Sequence, residues 1–435
     1  MENNESTESS TKKSSSSKKE RVVVVSTVRT PFVKSFGVFE QETALSLSLR
    51  VDSEVISKTG VQASDIDECI WGVVIPQTKN ANLAREIVLF SGLPTTIAGF
   101  TLNKACNSSL QTAEIAADRI LLGKNKLVLA GGVEVLSDVP IPFSDEARRF
   151  LTKMSRARSF KERLSLIGSV NPKWFLPKPP ALAEPFTGLT MGEHAEIMTV
   201  KNNVSRARQD ELAYKSHINA ASAIEAGHLK DEIVPVTIEE VYLQNNKRKT
   251  RSFVVDTDEG PRKDTSVEGL AKLKAVFAAK GSVTAGNSSQ TSDGAAFVLV
   301  MSEKMVKELN IEPIARLVTS AVVGCEPRVM GIGPVVAIPQ ALKQAGLKQE
   351  DIEMIELNEA FAAQSLAVIR TLGLNPDIIN PNGGAIALGH PLGCSGAKLS
   401  VQLINEMRRQ NKRYGMVSAC IGGGQGIAGI IERLK

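Results

Sequence analysis

Two octapeptides that lie 286 residues apart share one pattern, and this repeat restricts the folds open to the chain. Residues 60–67 read GVQASDID, residues 346–353 read GLKQEDIE, and an apolar run follows each copy. The same offset, added to the position of Cys106, leads to Leu392 inside a glycine-rich turn. Because the offset holds at two places, we predict two topologically similar halves that each offer a strand-to-helix turn to one cleft.

Strand and helix patterns alternate in the first half, and the last third repeats the plan. Residues 22–26 begin with four valines, which is typical of a strand buried on both faces, and residues 42–57 have helical periodicity. Further apolar runs predict strands at residues 69–75, 97–102 and 126–130. The alternation favours an α/β fold, in which helices cover the faces of a sheet.

The alternation breaks down at residues 137–282, which are rich in Pro, Lys and Arg and include Pro177-Lys178-Pro179-Pro180. The region is too long for a simple connection, so we expect it to have structure or function of its own. The first half would then comprise residues 21–136 and 283–310, and the second half residues 311–435. Residues 1–20 contain no large apolar side chain after Met1, which predicts a disordered tail.

Composition excludes several classes of protein. The chain is 42% hydrophobic and 23% charged, and no 18-residue apolar run occurs, so a membrane span is not expected. A net charge of +5 fits anionic small molecules or a polar membrane surface better than nucleic acid. Five cysteines without paired spacing suggest free thiols in a reducing compartment and argue against zinc. The tail lacks an apolar signal region and carries Glu residues that disfavour a mitochondrial presequence, so a cytoplasmic location is expected.

Cys106 is the candidate nucleophile, because it lies between an apolar run that ends at Leu102 and a helical pattern that starts near Ala113. That order predicts a strand, a sharp turn and a helix with Cys106 near its start. The helix dipole and unpaired N–H groups there would lower the pKa of the thiol. The alternative for a single Cys is a buried core position.

Two later stretches favour the catalytic interpretation. His390 is held between Gly389 and Pro391 in a glycine-rich segment, and a base on a rigid turn suits thiol activation. Cys420 ends an apolar strand and precedes a run of three glycines at residues 422–424. Two cysteines and one histidine on strand ends or turns make a coherent catalytic constellation.

With these residues the chain resembles the thiolase family. The Cys106 turn, the Gly-His-Pro segment, residues 420–424 and Asn358-Glu359-Ala360-Phe361 match the family's signatures in the family's order, and the resemblance runs from about Val22 to the C-terminus. It implies a duplicated thiolase fold of two βαβαβαββ halves. It also implies that residues 137–282 form a loop domain that covers the active site and holds coenzyme A.

The resemblance implies a role for each signature residue. Cys106 would attack the 3-keto carbon of a 3-oxoacyl-CoA, and His390 would accept the thiol proton. The backbone N–H groups of Cys106 and Gly422 would stabilise the oxyanion, Cys420 would protonate the departing acetyl-CoA enolate, and Asn358 would hold an ordered water.

Coenzyme A is the implied co-substrate, with no metal and no redox cofactor. Residues that match the family's coenzyme A and substrate contacts are Met191, Ala285, Ser289, Ala360 and Phe361. The remaining histidines, His194, His217 and His228, lie on polar helical stretches and are expected to be solvated.

The acyl chain length stays open at this point. Residues 131–140 and the insertion resemble β-subunits of long-chain β-oxidation complexes, which usually carry His where this chain has Asn358. The later half resembles short-chain acetyl-CoA acetyltransferases. A ketoacyl synthase is disfavoured by Cys420, and a silent lipid-binding or scaffolding protein would not need Cys106, His390, Asn358 and Cys420 together.

The resemblance also bears on partners. Thiolases are dimers or tetramers, so a homo-oligomer is expected. Residues 148–178 carry nine Lys or Arg against one Glu, interleaved with apolar residues at helical spacing. Such a segment fits docking to a hydratase and dehydrogenase subunit or to an anionic membrane; the alternatives are a packed lid helix or contacts with the phosphates of coenzyme A.

Overall fold

The protein, seen here in a computed structural model, is described at residues 21–176, 183–245 and 247–434. The predicted disordered tail at residues 1–20 and the Pro177-Lys178-Pro179-Pro180 stretch lie outside the described residues. The strands are β1 Val22–Arg29, β2 Val33–Lys34, β3 Glu68–Gly72, β4 Ala98–Leu102, β5 Leu127–Glu134, β6 Val236–Gln244, β7 Lys247–Val255, β8 Ser292–Ser302, β9 Ala315–Gly324, β10 Met354–Leu357, β11 Tyr414–Ile421 and β12 Gln425–Arg433. The helices are α1 Ala44–Thr59, α2 Leu83–Phe90, α3 Ser108–Leu121, α4 Asp145–Arg156, α5 Phe160–Gly168, α6 Met191–Lys201, α7 Arg206–Glu225, α8 Val267–Ala271, α9 Glu303–Glu308, α10 Gly333–Ala345, α11 Ala362–Leu372, α12 Ala385–Leu388 and α13 Ser395–Arg409.

One mixed sheet runs through both halves in the order β10-β11-β12-β9-β1-β8-β5-β3-β4, with β2 beside β8. The halves join where Val24 of β1 pairs with Ala315 of β9. The first half reads β1-α1-β3-α2-β4-α3-β5-β8, which confirms the predicted βαβαβαββ order. The second half follows the same order, except that a single bridge between Ile355 and Ile379 stands where the first half has the β3–β4 pair.

The repeated octapeptide encodes the same local structure twice. Gly60 ends α1 with φ of 66° and Gly346 ends α10 with φ of 67°, a left-handed conformation that glycine adopts without steric cost. A short 3₁₀ turn follows each glycine. The last residue of each octapeptide is an acid that accepts a backbone N–H at the start of the neighbouring parallel strand. Asp67 accepts the N–H of Leu127 at 3.0 Å, and Glu353 accepts the N–H of Arg413 at 2.6 Å.

The core is layered around this sheet. Helices α1 and α2 pack on the outer face of the first half, and α10 and α11 pack on the outer face of the second. Helices α3 and α13 pack against each other between the halves. Strand β1 is buried along its whole length, because Val23 and Val25 face one layer while Val22 and Val24 face the other.

Residues 137–282 form elements of their own, which explains why the strand and helix pattern stops there. Helices α4 to α8 and the β6–β7 hairpin lie in this region, and α6 and α7 pack on α11 of the second half. Among the described residues, no helix combines the length and the apolar composition that crossing a bilayer requires.

Two of the three histidines expected to be solvated are buried, so that prediction was wrong for them. His194 on α6 is 1% exposed and His217 on α7 is 5% exposed, whereas His228 is partly exposed. Each buried ring has one hydrogen-bonding neighbour outside its own helix: His217 Nδ1 accepts the N–H of Arg262 at 3.3 Å, and His194 Nε2 lies 2.9 Å from the hydroxyl of Thr187.

Candidate active site

Cys106 lies on a sharp turn between β4 and α3. The Asn103 side chain accepts the N–H of Ala105 at 2.9 Å, and the Ser108 hydroxyl accepts the N–H of Lys104 at 2.8 Å. Ala105 has a φ of 42°, in the left-handed region that costs a non-glycine residue about 1 kcal/mol or more. Helix α3 begins at Ser108, so Cys106 precedes the helix by two residues.

Burial dominates the electrostatics of the Cys106 thiol and raises its pKa to about 11. The N–H groups of Gly422 and of Cys106 itself oppose this increase, while the carboxyl groups of Glu134 and Glu184 add to it. The expected lowering of the pKa by the helix start is therefore outweighed in the free protein. The thiol keeps its proton at neutral pH until a base removes it.

His390 is held as a neutral base by its neighbours. Its Nδ1 lies 2.6 Å from the Ser395 hydroxyl, and that hydroxyl donates to the carbonyl of Pro391 at 2.8 Å. Because the hydroxyl proton is already used, Nδ1 carries the imidazole proton and Nε2 keeps its lone pair. Burial and the positive charge of Lys398 lower the His390 pKa to about 4.

Asn358 lies against the free nitrogen of this imidazole, with its Nδ2 at 3.4 Å from His390 Nε2. Both side chains are buried, and the N–H of Asn358 donates to the carbonyl of Ser418 on β11 at 2.9 Å. The end of β10 is thereby fixed beside β11, two residues from Cys420.

The turns of Cys106 and His390 meet where α3 and α13 begin. The N–H of Ala397 donates to the Ser109 hydroxyl at 2.8 Å, and a Cβ on Gly396 would lie 2.4 Å from the Leu110 nitrogen. Glycine is required at this approach because no side chain fits between the helices. The duplicated topology thus places the two strand-to-helix turns side by side.

Cys420 lies at the end of β11 in an apolar pocket. It is fully buried with Met330 and Ala360, and Met191 and Phe361 pack against them. Burial raises the pKa of the Cys420 thiol well above its usual range, and the nearby Cys106 sulfur raises it further. A Cβ on Gly422 would lie 3.6 Å from the Cβ of Ala105, so the segments that carry the two thiols adjoin.

The remaining candidate binding residues lie on a segment that pairs with residues 360–362. The N–H of Ser289 donates to the carbonyl of Ala360 at 2.9 Å, and the N–H of His390 donates to the carbonyl of Gln290 at 3.2 Å. Ala285 lies exposed on the same segment, four residues before Ser289. Four of the five candidate binding residues therefore lie near Cys420: Met191, Ser289, Ala360 and Phe361. Ala285 lies earlier on the segment of Ser289.

Sequence reasoning missed three polar residues that shape this site. Ser395 fixes the His390 tautomer. Glu134 lies near Cys106 and accepts the N–H groups of Val74, Ile75 and Gly393. Burial raises the pKa of Glu134 to about 7. Glu184 accepts the N–H of Gly423. These contacts span more than 50 residues for Glu134 and more than 200 for Glu184, so no local pattern signals them.

Comparison with known proteins places this arrangement in a family. The model of the thiolase N-terminal domain matches residues 22–304, and that of the thiolase C-terminal domain matches residues 311–433. The 3-ketoacyl-CoA thiolase of Bacillus subtilis is 42% identical over 381 residues, which cover 87% of this chain and 90% of that protein.

Solved structures agree in fold. The Bacillus anthracis acetyl-CoA acetyltransferase superposes with a TM-score of 0.85 at 38% identity, over 95% of this chain and 99% of that one. The structure of human mitochondrial 3-ketoacyl-CoA thiolase in complex with CoA superposes with a TM-score of 0.83 at 38% identity, over 95% of this chain and 98% of that one. The chain belongs to the thiolase family and is an acyltransferase.

Proposed function

We propose that the protein cleaves 3-oxoacyl-CoA with coenzyme A, through an acyl intermediate on Cys106, to give acetyl-CoA and a shortened acyl-CoA. The observation that carries this proposal is that the segments of Cys106 and Cys420 adjoin, while Asn358 links the His390 imidazole to the strand that carries Cys420. Two thiols suit a reaction that needs one nucleophile and one separate proton carrier.

In the first step His390 Nε2 accepts the Cys106 proton as the sulfur bonds to the 3-keto carbon. Because His390 is neutral and the thiol is protonated at neutral pH, transfer of the proton accompanies the attack. The N–H groups of Cys106 and Gly422, which already stabilise negative charge on the sulfur, would stabilise the oxyanion. Asn358, beside His390, would hold a water that polarises the acetyl thioester.

Cleavage of the bond between carbons 2 and 3 then leaves the acyl group on Cys106 and releases an acetyl-CoA enolate. Cys420 donates its proton to the enolate carbon and afterwards takes one from the incoming coenzyme A thiol. That thiolate removes the acyl group, and His390 returns its proton to the departing Cys106 sulfur. The reverse sequence is a Claisen condensation, so concentrations set the direction.

A short-chain acetyl-CoA C-acetyltransferase that condenses two acetyl-CoA is the second candidate, favoured by Asn358 beside His390. The relatives include proteins with either name. The test is loss of the Mg²⁺-enolate absorbance of acetoacetyl-CoA and of a long-chain 3-oxoacyl-CoA on addition of coenzyme A. Faster turnover of the long substrate would support a role in fatty acid β-oxidation, and activity on acetoacetyl-CoA alone would favour the second candidate. No activity on either would contradict the proposal.

We also propose a cytoplasmic homodimer or homotetramer that uses coenzyme A as co-substrate and no resident metal or redox cofactor. Light scattering at micromolar concentration tests the assembly, and a monomeric mass would contradict it. Activity that survives chelation and dialysis would agree with the cofactor proposal, and activity that returns only with added metal would not.

Residues 148–178 remain the candidate docking segment, described here up to Leu176. Phe150 packs on Trp174 and Phe175, but Phe160 and Ile167 are 81% and 57% exposed, which supports a docking surface over a packed lid. Flotation with anionic vesicles and recovery of a hydratase or dehydrogenase subunit test the two predicted partners. A variant with charge reversal at Arg156, Arg158 and Lys161 is the control.

A further inference from the structure

Residues 422–424, which we call the glycine turn, connect β11 to β12 and carry the Gly422 N–H that faces the Cys106 sulfur. Gly423 and Gly424 have φ of 82° and 79°. Three consecutive glycines have the greatest backbone freedom a chain can have. An oxyanion donor, by contrast, works only when its direction is fixed before the reaction. Something outside the turn must therefore hold it.

Besides the pairing of Ile421 with Gln425 that closes the hairpin, two contacts within the described parts of the chain hold the glycine turn. The N–H of Cys325 donates to the carbonyl of Gly424 at 2.7 Å, which fixes the far end of the turn. The near end is held by Glu184, whose Oε1 accepts the N–H of Gly423. A Cβ on Gly422 would lie 3.4 Å from that oxygen and 3.6 Å from the Cβ of Ala105, so Glu184 reaches to the edge of the reacting centre.

Glu184 is itself held by a compact loop. Its N–H donates to the carbonyl of Leu189 at 2.9 Å, and its carbonyl accepts the N–H of Gly188 at 2.8 Å. The loop ends at Thr190, which caps α6 just before Met191 in the apolar pocket of Cys420. Glu184 therefore links the element that carries Met191 to the turn that carries Gly422.

The second carboxylate oxygen faces a buried histidine. Glu184 Oε2 lies 4.0 Å from His194 Nδ1, which is too far for a hydrogen bond, and neither atom has a hydrogen-bond partner in the described structure. The Thr187 hydroxyl fixes the other side of the ring, with its oxygen at 2.9 Å from Nε2. The carboxylate is thus confined between the glycine turn and His194.

We propose that Glu184 is a positioning residue, which keeps the Gly422 N–H aimed at the reacting carbonyl by holding the next N–H of the glycine turn. The inference rests on the proposed function. Its charge alone would hinder the reaction, because a carboxylate beside Cys106 disfavours both the thiolate and the oxyanion. The benefit must come from Oε1 as a hydrogen-bond acceptor, which a neutral amide oxygen can replace.

The test compares Glu184→Ala, which removes the acceptor, with Glu184→Gln, which keeps one and removes the charge. Removal of an oxyanion donor lowers kcat by about two orders of magnitude, so misalignment of one should lower kcat by about tenfold or more. We expect Glu184→Ala to lower kcat of thiolysis by about tenfold or more with KM within about twofold, and Glu184→Gln to stay within about threefold of the wild type. Glu211→Ala, an exposed acid paired with Arg208 on α7, is the matched control and should not change kcat.

Alkylation of Cys106 by iodoacetamide separates a misaligned oxyanion donor from a general defect of the site. The reaction forms no oxyanion, and the Gly422 N–H acts in it only through the Cys106 thiolate, so the Glu184→Ala substitution should slow alkylation much less than it slows thiolysis. Equal slowing of alkylation and thiolysis would indicate a disrupted site, equal kcat losses in the Ala and Gln variants would assign the effect to charge, and a higher kcat in Glu184→Ala would make Glu184 an obstruction. Each of these results would overturn the inference. A wild type that is alkylated at Cys106 but cleaves no 3-oxoacyl-CoA would instead overturn the proposed function.

Discussion

At the scale of single residues, His390 and Cys106 are both neutral at pH 7, since burial lowers the pKa of the imidazole to about 4 and raises that of the thiol to about 11. Between these values the imidazole can accept a proton and the thiol can give one. The rate of alkylation of Cys106 should therefore have two parts. One part is independent of pH from about 5 upward and depends on His390, and the other rises with the thiolate fraction towards pH 11.

His390→Asn should remove the first part and keep the second. At pH 7 we expect iodoacetamide to modify Cys106 at least about tenfold more slowly in the variant, measured by peptide mass spectrometry, with the rates converging near pH 11. Cys69, which is fully buried, serves as an internal reference for unfolding. Alkylation at pH 7 equal to the wild type would remove His390 as the activating base.

The burial of His217 leads to a prediction about how the free energy of unfolding depends on pH. Burial and then the charge of Arg262 lower its pKa to about 4, against an unfolded value of 6.5, so between these values the unfolded chain binds the proton that the folded protein excludes. Stability conferred above pH 6.5 is lost as the pH falls towards 4. We expect the free energy of unfolding of the wild type, relative to His217→Gln, to fall by about 2 kcal/mol between pH 7 and pH 5. Urea unfolding at both pH values measures this, and a difference independent of pH would contradict it.

At the scale of elements, the contact between α3 and α13 sets the distance between the turns of Cys106 and His390. Gly396→Ala would force a Cβ to within 2.4 Å of the Leu110 nitrogen and must separate the helices. We expect a loss of about 1–3 kcal/mol of stability together with a loss of thiolysis. Gly168→Ala, at the end of α5 where a Cβ meets nothing within 4 Å, is the matched control and should be neutral or slightly stabilising. Equal behaviour of the two variants in thermal unfolding and activity would contradict the account.

Element order could be predicted from the sequence because it depends on local signals. The valines at the start of β1 and the first glycine of each octapeptide, which ends the preceding helix, favour these structures through their own stereochemistry. Strand ends were less predictable, since β1 continues to Arg29, whose guanidinium is buried by Asp258 and Glu232 from the inserted region. Long-range partners of this kind extend an element beyond its apolar run.

In the candidate site, too, the features that local sequence signals predict differ from those that depend on distant contacts. Cys106 and His390 lie on turns and Cys420 lies at a strand end, and the glycines and apolar residues that flank them are visible in the sequence. The pKa of Cys106, the burial of His194 and the contact of Glu184 with the glycine turn depend on which distant residues meet in the fold. Local patterns therefore locate the reacting groups but leave out the environment that tunes them.

At the scale of the whole molecule, the two halves share a topology but carry different candidate residues. The first half carries Cys106, while the second carries His390, Asn358 and Cys420. The inserted region adds Met191 and Glu184. In the proposed reaction, this division would let a duplicated fold host asymmetric chemistry, since each copy of the strand-to-helix turn carries a different candidate residue.

The central claim is that Cys106 alone carries the acyl group and Cys420 only moves protons. Peptide mass spectrometry after incubation with an activated acyl thioester, without coenzyme A, tests it most directly. We expect an acyl adduct on Cys106 in the wild type and in Cys420→Ala, although that variant fails to cleave 3-oxoacyl-CoA, and no adduct in Cys106→Ala. An acyl group on Cys420, or an adduct that persists in Cys106→Ala, would contradict the account.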